Sequence, residues 1–301
     1  MKNFRSLLPV AYFSLSAIFF FAACGSSEDV GDDNDSGGNS ITTDGGKTAQ
    51  NVFYSIPSPI ELATLVQKAG ATYDTKVLND PMNVSKYSTS LAQALNLGVY
   101  GADLSVTTIF DQTQESVIYL KCSRRLADEL GITGAFSDNT VQRMDNNKGN
   151  RDSLLNIISD SYFSTDEYLK ENQRPGISAL VLAGGWIEAL YVGTQLAKSS
   201  KNNAGIIQRI ADLKGSLENL VSLLELYKNQ EGVNELLGHL KGLMEVYKDV
   251  QVNAGDKTSV QTDEKTNVTT IGGGSTVSMT QKQFEEVSLR AEKVRKWIVT
   301  L

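Results

Sequence analysis

Residues 206–227 read IIQRIADLKGSLENLVSLLELY, and this stretch decides the fold class. Its apolar residues recur at alternating spacings of four and three positions, which places them along one side of an α-helix. The same spacing recurs over 233–250 and over 284–301. Because three such helices need partners for their apolar sides, we predict an all-α protein, a multi-helix bundle with long antiparallel helices.

Other segments carry recognisable helix boundaries. Ser58, Pro59 and Glu61 combine an N-cap, a proline at the first helical position and a capping box, so a helix is expected to begin there. Thr280 and Gln283 form a similar start for the last helix. Further helical patterns cover 88–109, 113–130, 137–146, 152–172 and 177–197. The short polar stretch from Asn229 to Gly232 is expected to join two helices as a hairpin.

A polar segment at about 252–279 separates the last two helical patterns and contains Gly272-Gly273-Gly274. Its composition predicts a flexible loop. The alternative is a small β-hairpin that pairs residues 268–271 with residues 276–279.

The N-terminus has the three parts of a secretory signal. Lys2 and Arg5 are followed by an apolar stretch, which ends in Ala22-Ala23-Cys24. This junction resembles the lipobox of bacterial lipoproteins, in which the cysteine is acylated, with palmitate as a typical chain. We expect a signal peptide over 1–23 and lipidation of Cys24. An ordinary signal with an incidental cysteine stays open, whereas a retained membrane span would be short for a bilayer.

Residues 24–50 then form a segment rich in Gly, Ser, Asp and Asn. Such a composition buries too little apolar surface to fold, so we predict a flexible acidic tether. Its acidic residues Glu28, Asp29, Asp32 and Asp33 resemble the export tag of surface-displayed Bacteroidota lipoproteins, although they would also serve solubility alone. The predicted organisation is therefore a signal peptide, this tether and a single helical domain over 51–301.

Charge and composition exclude several classes of function. The chain has a net charge of −7 at pH 7, which does not favour nucleic acid. His239 is its single histidine, and its two cysteines are Cys24 and Cys122. This inventory gives neither a zinc site nor a Ser-His-Asp triad, and no nucleotide-binding loop is present, so no metal and no cofactor are expected. We interpret Cys122 as a buried, inert thiol.

Two carboxylates break the local rules of helical packing. Asp103 follows Tyr100 on a helix rich in small residues, and Glu188 follows Trp186 at the middle of the most apolar helix. A buried carboxylate is costly unless it is paired, so these four residues define a candidate pocket. One interpretation is purely structural: the glycines allow the helices to approach, and the acids pair with Arg124, Arg125, Arg151 or tyrosine hydroxyls. The others are a small-ligand pocket between the 88–109 and 177–197 helices, and a two-carboxylate hydrolase.

Four segments together resemble an uncharacterised family of Bacteroidota lipoproteins. They are FYSIPSP at 53–59, NLGVYGADL at 96–104, FDQTQ at 110–114 and GGW at 184–186. The resemblance covers roughly residues 50–250 and implies a location in the cell envelope, but the family carries no known catalytic residues. It therefore implies nothing about activity.

These observations favour a non-enzymatic protein, although its activity stays open. We expect a helical lipoprotein anchored to the outer membrane by its N-terminal lipid and exposed at the cell surface. Its expected role is a binding or scaffold module of the cell envelope with a protein partner. The ligand pocket and, after it, the carboxylate-dependent hydrolase are the alternatives.

Overall fold

The computed structural model describes residues 59–68, 70–132, 134, 136–201, 203–253, 259–263, 268–272 and 276–301. These residues all belong to one compact unit. The predicted signal peptide, Cys24, the tether and the proposed N-cap Ser58 lie outside the described residues.

Ten α-helices make up most of the part that the structure describes, which confirms the all-α prediction. They are α1 (Pro59–Lys68), α2 (Ser90–Ile109), α3 (Thr113–Glu129), α4 (Asp138–Asn146), α5 (Arg151–Glu171), α6 (Pro175–Ser199), α7 (Ala204–Asp212), α8 (Lys214–Glu225), α9 (Val233–Lys248) and α10 (Gln281–Val299). Two short 3-10 turns, Thr75–Val77 and Pro81–Lys86, lie between α1 and α2.

The predicted helix boundaries are reproduced where capping chemistry set them. Thr280 and Gln283 form the predicted capping box at the start of α10. Gly131 follows α3 with φ +72°, and Gly232 precedes α9 with φ +77°. Because L-residues with side chains rarely adopt this left-handed conformation, glycine suits both positions.

The prediction of one unbroken helix over 206–227 is wrong, because the chain is divided into α7 and α8 at Leu213. The carbonyl of Ile210 accepts hydrogen bonds from the Leu213 N–H (3.2 Å) and from the Tyr247 hydroxyl (2.8 Å). The Ser216 hydroxyl also donates to the Leu213 carbonyl at 2.9 Å. Side-chain donors thus compete for carbonyls that a continuous helix would use, and such competition bends helices.

The segment predicted as a loop contains four short strands: β1 (Gln251–Asn253), β2 (Ser259–Asp263), β3 (Val268–Gly272) and β4 (Thr276–Ser278). β1 pairs antiparallel with β4, and β2 pairs antiparallel with β3. The alternative prediction, a hairpin of 268–271 with 276–279, therefore had the wrong pairing. The strands have low apolar content, so they show little periodicity from which their partners could be predicted.

The centre of the bundle is the contact between α2 and α6, which is the most extensive helix pairing among the described residues. A Cβ added at Gly98 would lie 2.0 Å from the carbonyl oxygen of Val181. A Cβ added at Gly184 would lie 1.9 Å from the carbonyl oxygen of Leu95. The two backbones therefore touch at positions where only glycine fits, as the structural interpretation of the sequence anticipated.

Among the described residues, α6 is the one helix that is long and apolar enough to cross a membrane. In this fold, 83% of its most apolar window is buried inside the molecule. Helices α1, α2, α5, α7, α8 and α10 pack around it. Its apolar character is therefore that of the central helix of the bundle.

The C-terminal helices bury the apolar residues that the sequence pattern selected. Helix α9 packs against both α8 and α10, and α10 also packs against α6. Leu220, Leu240 and Val287 are completely buried. At the ends of the pattern, Tyr227 is half-buried and Leu301 is 37% exposed. We name the contact of α8, α9 and α10 the C-terminal seam.

Candidate functional site

The two predicted carboxylates lie together at the interface of α2 and α6. Asp103 and Glu188 are both 0% exposed, and their carboxyl groups lie close enough for each to influence the pKa of the other. Their burial and their proximity, both predicted from the sequence, are confirmed. The packing of Gly98 and Gly184 against the facing backbones explains the proximity, because it brings the two helix axes close enough for short acidic side chains to meet.

Glu188 is paired with Arg295 from α10. Nε of Arg295 donates to Oε2 at 3.0 Å, and Nη2 donates to Oε1 at 3.2 Å. The guanidinium carbon also lies 4.7 Å from the centre of the Tyr191 ring. This two-point geometry is the strong form of a carboxylate–arginine pair, and the aromatic ring shields it on one side.

The arginines predicted as partners of the acids pair elsewhere, so this part of the structural interpretation is wrong. Arg124 contacts Asp128 and Asp138, Arg125 contacts Glu129, and Arg151 contacts Asp152. All three arginine side chains are at least 36% exposed. They carry surface ion pairs on α3 and α5, whereas the buried acid is neutralised by the last helix of the chain.

Asp103 is less well satisfied than Glu188. Its Oδ2 accepts the backbone N–H of Asn79 at 3.1 Å, while no donor among the described residues reaches its Oδ1. Burial raises the pKa of Asp103 well above its usual range, and the nearby charge of Glu188 raises it further, with Arg295 opposing the shift.

Burial also raises the pKa of Glu188, but the charge of Arg295 and its hydrogen bonds act in the opposite direction. For Arg295, burial lowers the pKa, while the charge of Glu188 and its hydrogen bonds raise it to a net value above the ordinary one. The two carboxyls therefore differ, because Glu188 has a cation in direct contact and Asp103 does not.

Tyrosines enclose the Asp103 side of the cluster. The Tyr100 hydroxyl donates to the carbonyl of Asp80 at 3.0 Å, and the Tyr119 hydroxyl donates to the carbonyl of Asn79 at 3.2 Å. The centre of the Tyr100 ring lies 6.2 Å from that of Tyr87 and 6.1 Å from that of Tyr119. These contacts hold the segment around Asn79 over Asp103, where its backbone N–H reaches the carboxylate.

Trp186 belongs to a different side of α6. Its indole N–H donates to the Ser216 hydroxyl on α8 at 3.1 Å. Trp186 and Glu188 are two positions apart, which is about 200° around a helix, so their side chains point in nearly opposite directions. The structure thus brings Tyr100, Asp103 and Glu188 together and places Trp186 against α8.

Sequence reasoning missed Arg295 and the polar groups that hold the end of α10. Arg295 lies in the last turns of the final helix, where a cation suits the helix dipole, but it is also four positions after Ala291 and three before Ile298, both on the apolar side. A charged residue at that spacing was the available signal. Asn96 and Tyr87, which cap α10, carried no such signal.

The C-terminus of α10 is capped by side chains from elsewhere in the bundle. The Asn96 amide donates to the carbonyl of Ile298 at 3.0 Å, and the Tyr87 hydroxyl donates to the carbonyl of Val299 at 3.4 Å. The last carbonyls of a helix have no partner within it, so these donors satisfy groups that would otherwise be buried unpaired. Together with Arg295, they fix α10 beside α2 and α6.

The cluster is closed to solvent. Tyr100, Asp103, Trp186 and Glu188 are each 0% exposed, so no space large enough for a water molecule adjoins their side chains. A hydrolytic carboxylate pair needs room for substrate and water between its members, whereas these two carboxyls are completely buried. The arrangement can stabilise the buried charge of Glu188 and fix the position of α10, and it leaves no room for a ligand beside these residues.

The other chemically distinctive side chains are also structural in their surroundings. In the described ranges, no group of three His, Cys, Asp or Glu residues could hold a metal ion. Cys122 is buried as predicted, and burial raises the pKa of its thiol to about 11, which makes it a poor nucleophile. His239 is half-buried, with its ring 5.1 Å from that of Trp297.

Comparisons with protein-family models, with curated proteins and with solved structures found no match.

Proposed function

We propose that this protein is a helical binding or scaffold module of the bacterial cell envelope, anchored to the outer membrane through a lipid on Cys24. The complete burial of Asp103 and Glu188 is the observation that supports a non-enzymatic role. These are the carboxylates that the sequence singled out, and both are occupied by contacts that hold the bundle together. Function is then assigned to the outer surface of the bundle and to its point of attachment.

The lipid anchor is supported by the Ala22-Ala23-Cys24 junction and by the acidic, flexible composition of 24–50. The chemistry of the described residues favours no other means of attachment to the membrane. The apolar surface of α6 is buried within the bundle, and the net charge of −7 does not attract the chain to anionic lipid. Two or more acyl chains would provide stable anchoring.

Substitution of the two cysteines tests the anchor. Cys24→Ser is expected to release the protein from the membrane fraction and to abolish its labelling by a palmitate analogue. Cys122→Ser is the matched control, since that thiol is buried inside the bundle, and it should keep both properties. Retention of the Cys24→Ser protein on membranes after a carbonate wash would contradict the proposed anchor.

A thermal-shift screen tests the scaffold role against the ligand pocket. Envelope metabolites and glycan fragments should leave the melting temperature of the full chain unchanged, because no open space adjoins Tyr100, Asp103 or Glu188. A compound that stabilises the wild type and does not stabilise Glu188→Gln would show a ligand site at the acid pair and would overturn the scaffold proposal.

A further inference from the structure

The buried cluster contains more acids than bases. The ionisable groups that interact electrostatically with Asp103 or Glu188 come from several elements: Tyr73 and Tyr87 before α2, Tyr100 on α2, Tyr119 and Cys122 on α3, Tyr162 on α5, Tyr191 on α6 and Arg295 on α10. Burial raises the pKa of each of these tyrosines and of Cys122, so they are neutral at neutral pH. In this part of the described chain, Arg295 is the cation that faces two carboxyl groups.

Three further carboxylates and one arginine lie at the margin of the cluster. Glu115 accepts a hydrogen bond from Tyr73, Glu292 lies near Tyr191, and Asp80 and Arg125 lie near Cys122. Glu115 is half-buried and the other three are exposed, so all four reach solvent. The one cation among them, Arg125, pairs with Glu129 at the surface, so none of these groups neutralises a second buried carboxylate.

Hydrogen bonding distinguishes the two carboxyls. Both oxygens of Glu188 accept from Arg295, at 3.0 and 3.2 Å, as expected of an ionised carboxylate. Asp103 accepts one backbone N–H, and its Oδ1 has no donor among the described residues. Two neighbouring ionised carboxylates have only acceptor atoms to offer each other, whereas a protonated carboxyl has an O–H to donate.

We propose that the α2–α6 interface binds one proton at neutral pH, that Asp103 holds this proton and donates it to Glu188, and that the proton allows the single guanidinium of Arg295 to dock α10. With the proton in place, one anion faces one cation. Without it, the interior carries an uncompensated negative charge, which low-dielectric surroundings strongly disfavour. This inference is independent of the lipid anchor and of the scaffold role.

The proton has a predictable effect on the pH dependence of stability. Between the ordinary pKa of an aspartate and the raised pKa of Asp103, the folded chain holds a proton that the unfolded chain has released. The free energy of unfolding therefore falls as the pH rises through that interval. Glu188 contributes in the same direction, because its pKa is also raised.

Two near-isosteric substitutions test which carboxyl carries the proton. Asp103→Asn replaces a neutral acid by a neutral amide that can still donate to Glu188 and still accept from Asn79. The full-length Asp103→Asn chain should keep a melting temperature within a few degrees of the wild type at neutral pH. Above neutral pH, its free energy of unfolding should depend less on pH than that of the wild type. Glu188→Gln removes the anion from Arg295 and should lower the melting temperature far more. The reverse order, or an unchanged pH slope in Asp103→Asn, would overturn the proposal.

A measurement on the wild-type chain keeps the test valid if a variant fails to fold. A protonated carboxyl has a carbonyl stretch in the infrared that is separate from the bands of ionised carboxylates. We expect this band at neutral pH, and we expect it to shift when aspartate is labelled with ¹³C at the side-chain carboxyl and to stay in place when glutamate is so labelled. The absence of the band, or a shift only on glutamate labelling, would contradict a proton on Asp103.

Discussion

The α2–α6 interface and the C-terminal seam are both helix contacts in one bundle, yet they are built from different chemistry. The seam packs Leu, Val and Ile side chains, among them the completely buried Leu220, Leu240 and Val287. The α2–α6 interface has backbone contacts at Gly98 and Gly184, with a buried acid pair beside them. One contact gains its stability from buried apolar area, and the other requires close approach and neutralised charge.

Because of this difference, the two contacts differ in how well they tolerate a change in side-chain volume. An apolar seam loses stability gradually as side-chain volume is removed. The cost grows with the cavity that remains, and the neighbouring side chains relax partly into it. A contact between backbones cannot accept added atoms at all, since neither partner is a movable side chain. The α2–α6 interface should therefore fail abruptly and the seam gradually.

The largest effect is expected when a side chain is added at the closest point of the α2–α6 interface. Gly184→Val places its Cβ within 1.9 Å of the Leu95 carbonyl oxygen, so the helices must separate. Their separation would also break the Asp103–Glu188 contact. We expect a loss of more than about 4 kcal/mol in the free energy of unfolding, or failure to fold. Chemical denaturation monitored by circular dichroism measures it.

Gly238→Ala is the control, since this glycine lies in α9 with nothing within 4 Å of its added Cβ. Alanine is the better helix former, so this variant should gain up to about 1 kcal/mol. If Gly184→Val were tolerated as well as Gly238→Ala, the close approach of α2 and α6 would be disproved.

An intermediate effect is expected in the seam. Leu220 is completely buried, and Leu220→Ala should cost about 2–5 kcal/mol through the lost burial and the cavity that remains. Leu226 lies six positions later and is 53% exposed, so Leu226→Ala should change stability by less than about 0.5 kcal/mol. Equal effects of the two substitutions on the denaturation midpoint would mean that the apolar stripe faces solvent.

The smallest effect is expected where a single hydrogen bond joins α6 to the seam side of the bundle. Trp186→Phe keeps an aromatic ring but removes the indole N–H that reaches Ser216, and should cost about 1–3 kcal/mol. Trp297→Phe is the matched control, because Trp297 is half-buried and its ring packs on His239. We expect it to cost less than about 1 kcal/mol in the same thermal denaturation assay. A larger cost for Trp297→Phe would reverse the assignment.

The sequence predicted the seam well because periodic burial leaves a periodic pattern. The stripe of α9, from Val233 to Tyr247, was fully specified by spacing, and its residues are buried as expected. The division of α7 from α8 was not predictable in this way. It depends on the Tyr247 hydroxyl and on Ser216, which are distant partners that become visible only when the helices are packed.

The candidate site was predictable in part for the same reason. Asp103 and Glu188 stand out in the sequence as acids among small and apolar residues, and their meeting followed from the neighbouring glycines. Their cation did not stand out, because Arg295 lies between Lys293 and Lys296 in a segment that resembles an ordinary basic helix end. Trp186 was grouped with the acids by its position in the chain, although helical geometry turns it to the opposite side.

The pair of the buried Glu188 with Arg295 holds the last helix on the α2–α6 interface, and a double-mutant cycle measures its contribution. Glu188→Gln, Arg295→Gln and the double variant are compared with the wild type by urea denaturation of the full chain. Arg295→Gln leaves the completely buried Glu188 without its cation and should cost about 3–5 kcal/mol. Glu188→Gln should cost less, because the Arg295 side chain is 15% exposed. The double variant should cost less than the sum of the two by at least about 1.5 kcal/mol. Costs that add within about 0.5 kcal/mol would contradict the claim, because the two residues would then act independently.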